Sequence, residues 1–313
     1  PGLGLAPERF ADKVNELSHG RLVIRVYGAG ELVPSFEVFN AVSKGTAQMG
    51  HSAAFYWQEK IPAASLFSAI PFGMTAQEMN AWLHYGGGLE LWQELYEPYG
   101  VVPMAGGNTG AQMGGWFNKE IKTIADLKGL KMRLPGYAAD VLKRAGGIPV
   151  SLPGGELFTA LETGAIDATE WVGPYNDLAF GLHNAARYYY YPGWQEPGTT
   201  LEFLINKNAY QALPDDLKKI VEVAARAINQ DMLDEYMVKN VQALDVLINE
   251  HGVELKPFPD EVLAELKRLT QQLMNEKSTS DPVVERIYSS YKQFLSDIRQ
   301  YGRVSDNADV NID

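Results

Sequence analysis

A chain of 313 residues with 46% hydrophobic and 21% charged residues has the make-up of an ordinary globular protein with room for about two domains. Its net charge of -12 repels polyanions and so argues against nucleic acid or an anionic membrane surface as a partner. The absence of cysteine removes thiolate nucleophiles, thiolate metal sites and disulfides, and no run of about 18 apolar residues offers a membrane span.

In chain order, Pro7 to Ser18 reads as a helix, with Phe10, Val14 and Leu17 on one face and Gly20 as its stop. Arg21 to Tyr27 (RLVIRVY) reads as a β-branched strand. Phe36 to Lys44 is a short helix closed by Gly45, and Ala47 to Tyr56 is a buried strand. Thr75 and Glu78 form a capping-box pattern, opening a helix that carries Met79, Trp82 and His84. Gly86-Gly87-Gly88 interrupts that helix. The alternation is that of an α/β domain.

Val101 to Phe117 is strand-like but rich in glycine, as a crossing between domains would be. A helical turn at Ile124 to Leu127, a strand at Lys131 to Leu134, a helix at Tyr137 to Ala145 and a strand at Pro149 to Ser151 follow. Glu37, Phe39, Ala41 and Gly45 recur at the same offsets as Glu156, Phe158, Ala160 and Gly164. This echo points to two lobes of similar build. Thr199 to Ile205 is a second crossing strand. From Pro214 no glycine or proline occurs until Gly252; a helix of that length, roughly 50 Å, spans both lobes or bends between them. A helix at Asp260 to Glu276 precedes a C-terminal seam of Val284, Ile287, Tyr291, Phe294, Ile298 and Tyr301. Such a seam packs either on its own chain or on a second copy.

The chemistry concentrates in Gly164 to Pro197. Glu170 adjoins Trp171, Glu196 lies two residues from Trp194, and Tyr188 to Tyr191 run between them. Two carboxylates among so many aromatics are either surface residues beside a core or the acids of a walled cavity that needs a counter-charge. Arg133, at a strand end before Pro135-Gly136, offers the planar fork that grips a carboxylate. No catalytic serine elbow, phosphate loop, HExxH pair or dinucleotide fingerprint is present, and the histidines at 19, 51, 84, 183 and 251 are scattered.

LKGLKMRLPG, PVSLPGGELFTALETGAIDATEWVGP and YYYYPGWQEPG, with GAGELVP and IPFGMTAQE, resemble the substrate-binding protein of a tripartite ATP-independent periplasmic (TRAP) transporter. The similarity covers nearly the whole chain and is nearest the branch that takes 2-oxo acids and related monocarboxylates. It implies an α/β, two-lobed periplasmic-binding-protein-like fold with crossing hinge strands and a long helix spanning both lobes. The lobes would comprise residues 1–108 with 200–238, and 109–199 with 239–279. Residues 280–313 would be a C-terminal helix and tail, a candidate contact for a homodimer.

By the same resemblance Arg133 binds the ligand carboxylate, and Glu170, the Trp171 carbonyl and Glu196 hold a metal cation. Gln112 touches both ligand and cation, Tyr56 faces the ligand, and Trp57, Phe72 and Trp194 are wall or core. The implied partners are a small monocarboxylate (pyruvate or lactate among them) and the transporter's membrane subunits, in the periplasm. The family's pattern has a strand, and an export leader, before the segment that opens here at Pro1, so a longer natural chain is expected.

Charge counting supports a cation independently. Glu170, Glu196 and a ligand carboxylate would leave an excess of negative charge over Arg133, and oxygen donors suit a hard ion such as calcium or sodium. The rival reading is a metal-dependent enzyme, such as a lyase, acting on a carbonyl acid. It lacks a positioned base in either glutamate segment.

Overall fold

The computed structural model describes residues 1–305. The C-terminal tail assigned above from residue 306 onward lies outside them. In chain order the elements are α1 (Leu5–Leu17), α2 (Val38–Ser43), β1 (Met49–Ser52), α3 (Ala76–Tyr85), α4 (Gly88–Tyr96), β2 (Val101–Asn108) and β3 (Gly115–Phe117). There follow β4 (Lys131–Arg133), α5 (Gly136–Arg144), β5 (Ile148–Val150), α6 (Leu157–Glu162), β6 (Ala168–Thr169), α7 (Pro174–Ala179), β7 (Tyr188–Tyr191) and β8 (Thr200–Asn206). The chain continues through α8 (Lys207–Gln211), α9 (Asp215–Asn249), β9 (Glu254–Pro257), α10 (Asp260–Ser280) and α11 (Pro282–Gly302).

The strands form two sheets, ordered β1-β8-β2 and β5-β4-β6-β3-β7-β9. The chain passes from the small sheet to the large one after β2, returns between β7 and β8, and crosses again along the 35-residue helix α9. This is the two-lobed α/β architecture with crossing strands and a long shared helix.

The helices begin and end where local chemistry requires. Thr75 caps α3 in a complete capping box with Glu78, an arrangement worth about 1 kcal/mol. The predicted echo is a repeat of backbone as well as of letters. Each copy is a 3-10 turn (Ser35–Glu37; Gly154–Glu156) running into a six-residue helix. Gly45 and Gly164 then take φ +76 and +74, and each copy leads to a strand, β1 or β6.

A bulge between Ala105 and Gly107 breaks the β2–β8 register. The Gly107 N–H donates instead to Asn229 Oδ1 of α9 at 3.0 Å, and Asn229 Nδ2 donates to Asn80 Oδ1 of α3 at 2.8 Å. A donor lost to the sheet ladder is thus satisfied by the long helix, which binds the crossing strand to α9.

Two expectations change, and one alternative left open is resolved. Arg21 to Tyr27 is not a strand. Its residues alternate, with Leu22 and Ile24 against the core and Val23 and Tyr27 exposed, but a ladder also needs a neighbouring strand, and among the described residues none pairs with this segment. Ala47 to Tyr56 is strand only over β1, then turns into a 3-10 helix at Ala54–Trp57. The C-terminal seam packs on its own chain. Val284, Ile287 and Tyr291 are buried, Tyr291 accepts the Met74 N–H at 2.6 Å, and Trp82 of α3 donates to Ser290 at 3.2 Å. Burying an apolar stripe in its own lobe leaves little of it for a second copy; Tyr301 remains exposed.

Candidate functional site

The site forms where ends of the large sheet meet the crossing segments. In the parallel pair β4–β6, Arg133 stands opposite Thr169, which places Glu170 one residue beyond the paired end. Arg133 and Glu170 are both almost fully buried, at 2% and 1% side-chain exposure, and form an ion pair. Arg133 Nη1 donates to the Glu170 carboxylate and also, at 3.3 Å, to its main-chain carbonyl. Nη2 donates to the Tyr56 hydroxyl at 2.8 Å, and Nε to the Leu152 carbonyl at 3.2 Å. The guanidinium lies over the Trp171 ring, 5.3 Å from its centroid. Phe180 stacks with that ring at 5.1 Å. Gly154 also lies against it, so close that a Cβ would stand 2.5 Å from it.

Glu196 comes from the other direction. Its Oε2 accepts from Thr199 Oγ1 at 2.6 Å. Gln112 Nε2 donates to Thr109 Oγ1 and Thr199 Oγ1, each at 3.2 Å, and the Gln112 N–H donates to the Glu196 carbonyl at 3.0 Å. Backbones touch here. A Cβ on Gly193 would meet the Gln112 carbonyl oxygen at 2.0 Å, so the GWQEP segment can lie on the glycine-rich crossing only because residue 193 has no side chain. Gly115, at φ +118, passes Thr169 closely too: a Cβ there would meet the Thr169 carbonyl oxygen at 2.7 Å.

The electrostatics are those of two acids sharing one base. Burial pushes the Glu170 carboxyl well above its usual range, and the neighbouring charge of Glu196 pushes it further, against the pull of Arg133. Burial raises Glu196 to about 7, with Thr199 and Arg133 holding it back. Glu170 Oε2 and Gln112 Oε1 are buried without a hydrogen-bond partner. Two unpartnered acceptor oxygens beside surplus negative charge are what a bound cation would satisfy. The available donors are carboxylate, amide and carbonyl oxygens, the set that fits calcium or sodium. Among the described residues no group of three His, Cys, Asp or Glu side chains offers a different metal site.

Tyr56, Arg133, Glu170 and Trp171 therefore form one contiguous group. Gln112 and Glu196 form a second, bridged by Thr199, and the charge of Glu196 acts on Glu170, Tyr56 and Arg133. Of the remaining aromatics, Trp57 is core and donates its indole N–H to buried Glu202. Half-buried Phe72 meets Trp194 at 5.8 Å, and its N–H donates to the Trp194 carbonyl at 2.8 Å.

Thr109, Thr199 and Asp177 were not singled out from the sequence. Asp177 braces the loop after Trp171, accepting from the Val172 N–H at 3.1 Å, Trp116 Nε1 at 3.0 Å and Tyr189 at 2.7 Å. Only the position of Thr199, three residues after Glu196 in a turn-rich stretch, could have marked it; nothing marks Asp177.

Residues 3–280 match the model of the family described as bacterial extracellular solute-binding protein, family 7. The chain belongs to that family. Its members are solute receptors of TRAP transporters, not enzymes, and the lyase reading gains no support. Over 305 residues the chain is 42% identical to a monocarboxylate 2-oxoacid-binding periplasmic protein of Nostoc sp., spanning 97% of this chain and 84% of the relative. A TRAP periplasmic solute-binding protein from Colwellia psychrerythraea, solved with bound calcium and pyruvate, superposes with a TM-score of 0.95 at 44% identity, covering 98% of this chain and 94% of that one. Another from Pseudoalteromonas atlantica, with bound sodium and pyruvate, gives 0.96 at 44% identity over the same shares.

Proposed function

We propose that this family member is a periplasmic receptor that binds a small 2-oxo or 2-hydroxy monocarboxylate together with calcium or sodium. It would close over the pair and deliver the acid to the membrane subunits of a TRAP transporter. The observation that carries the reading is the buried Glu170–Glu196 pair, which has one arginine and an unpartnered Glu170 oxygen between them. A cation held by Glu170, the Trp171 carbonyl, Glu196 and Gln112 balances that charge. Bridging to the cation, the ligand carboxylate takes its remaining contacts from Arg133 and Tyr56. The relatives solved with pyruvate beside calcium or sodium support the same pairing.

Each lobe would close as a body, residues 1–108 with 200–238 against 109–199 with 239–279. These borders fall at the end of β2, the start of β8 and within α9. We assign residues 280–313 to a C-terminal helix and tail outside the two lobes. A homodimer built on it would use exposed positions of α11, such as those around Tyr301, rather than the buried seam. Sedimentation of wild type and Tyr301→Glu tests this: a dimer that the substitution dissociates supports the contact.

The deciding experiment is calorimetric titration with pyruvate and lactate in EDTA, then with calcium or sodium restored. Binding that appears only with the ion is expected. Binding indifferent to the ion would reduce the two glutamates to wall residues, and no binding of either acid under any condition would point to a different acid as the ligand.

A further inference from the structure

Helix α7 starts directly after the loop that carries Glu170 and Trp171, so whatever holds its first turn also fixes where those two residues point. Two side chains of α9 hold it. Asn240 Oδ1 accepts the Tyr175 N–H at 3.0 Å. The same oxygen presses on the loop, where a Cβ at Gly173 would stand 3.2 Å from it. Pro174 has no N–H, so the Tyr175 N–H is the first donor of the helix start and has no partner within the helix. One turn away, the Tyr175 hydroxyl donates to Glu235 Oε1 at 3.1 Å, and its ring meets Tyr236 edge-on at 5.8 Å. Glu235 is itself fixed by Arg9 of α1, whose Nη1 and Nη2 donate to its two oxygens at 2.7 and 3.2 Å. On the other flank, Asp177 holds the Val172 N–H.

We infer that Asn240 and Glu235 are positioning residues for cation binding. Acting through Tyr175, they hold the loop from Glu170 to Gly173 so that the Glu170 carboxylate and the Trp171 carbonyl converge on one ion. The inference rests on the reading above that these two residues are cation ligands. Both positioning residues belong to the helix shared by the two sheets, and Arg9 extends the chain of contacts to α1. The geometry of the ion site is therefore tied to the placement of α9.

The test is calorimetry with calcium, then with pyruvate at saturating calcium, on wild type, Asn240→Ala, Asn240→Asp, Tyr175→Phe, Glu170→Gln and the Asn240→Ala/Glu170→Gln double variant. Asn240→Ala is expected to weaken calcium and pyruvate together by about tenfold, the lower end of the cost of losing an outer partner of a metal ligand. Asn240→Asp keeps the oxygen acceptor and restores affinity; Tyr175→Phe weakens it by roughly threefold on the same argument. A merely structural role would lower the melting temperature without this rescue, and would weaken the double variant beyond Glu170→Gln by a further full factor. An indirect role through the loop adds less than that factor once Glu170 is neutral, because only the Trp171 carbonyl is then left for it to position. Wild-type affinity in both Tyr175→Phe and Asn240→Ala, with Glu170→Gln impaired, overturns the inference alone. Wild-type calcium affinity in Glu170→Gln overturns the cation-ligand reading beneath it.

Discussion

Arg133 and Glu170 are joined by three hydrogen bonds. The Glu170 N–H donates to the Arg133 carbonyl at 3.3 Å, and Arg133 Nη1 donates back to the Glu170 carbonyl at 3.3 Å as well as to its carboxylate. The residue expected to grip the ligand is therefore also the counter-ion of Glu170, the proposed cation ligand, and the two roles can be separated by experiment.

Arg133→Ala should abolish pyruvate binding and also destabilise the protein by about 3 kcal/mol, because removing one partner of a buried pair strands the other. Adding Glu170→Gln to it should recover much of the stability and none of the binding. Urea unfolding and calorimetry on the single and double variants read the two effects. A stable Arg133→Ala protein would show that Glu170 does not depend on the arginine.

The cation-free protein should lose stability as pH rises. Glu196 is raised from 4.5 to about 7 in the folded state. A group raised by folding favours the fold fully below its unfolded value, and that contribution is lost as pH climbs through the folded value. Glu170 is raised in the same direction. Between about pH 4.5 and 7 the metal-free melting temperature should therefore fall, while calcium, which requires both acids ionised, binds more tightly and stabilises more. Melting curves with and without calcium at several pH values check this; a calcium-induced shift constant across the window would contradict it.

Glu202 offers a control away from the ion site. Fully buried on β8, it accepts from Trp57 and, at 2.9 Å, from Tyr96, and burial raises it to about 8. By the same sign rule its stabilisation is present below about pH 4.5 and lost as pH rises through about 8. Glu202→Gln cannot titrate, so its stability relative to wild type should increase across that range. Parallel melting curves would count against a protonated Glu202.

Gly193→Ala should destabilise the protein by about 2 kcal/mol, since its methyl group collides with backbone rather than with a side chain that can turn away. Calcium affinity should fall too, because the Gln112 backbone must move. Denaturation and titration of one purified variant measure both, and unchanged values would mean that the two segments separate freely.

Much of the fold was legible because periodicity and punctuation agree over long stretches. The capping box at Thr75, the 35-residue helix and the echoed Glu-Phe-Ala-Gly offsets each have a local physical cause. Arg21 to Tyr27 misled because a strand is a relation between two segments, and only one can be read from a run of letters. The acids and the arginine could be found as residues but not as a pair. Arg133 and Glu170 are 37 positions apart, and the parallel register of β4 and β6 brings them together. Asp177 could not be found at all, since its role depends on Trp116 and Tyr189 arriving from β3 and β7. The C-terminal seam gave its period correctly but not its partner, which is decided by the path of the chain after α10.

The cation donors proposed at Glu170, Trp171, Glu196 and Gln112 are all oxygen, in a chain without a single cysteine. Imidazole and thiolate ligands select copper, nickel and zinc, whereas carboxylate and carbonyl oxygens suit hard ions, and the proposed site offers only the latter. Trace transition metals would gain little hold on the receptor. Its readiness to capture an acid would then follow the supply of the abundant hard cations outside the cell, making hardness or salinity of the surroundings a second input to uptake alongside the nutrient itself.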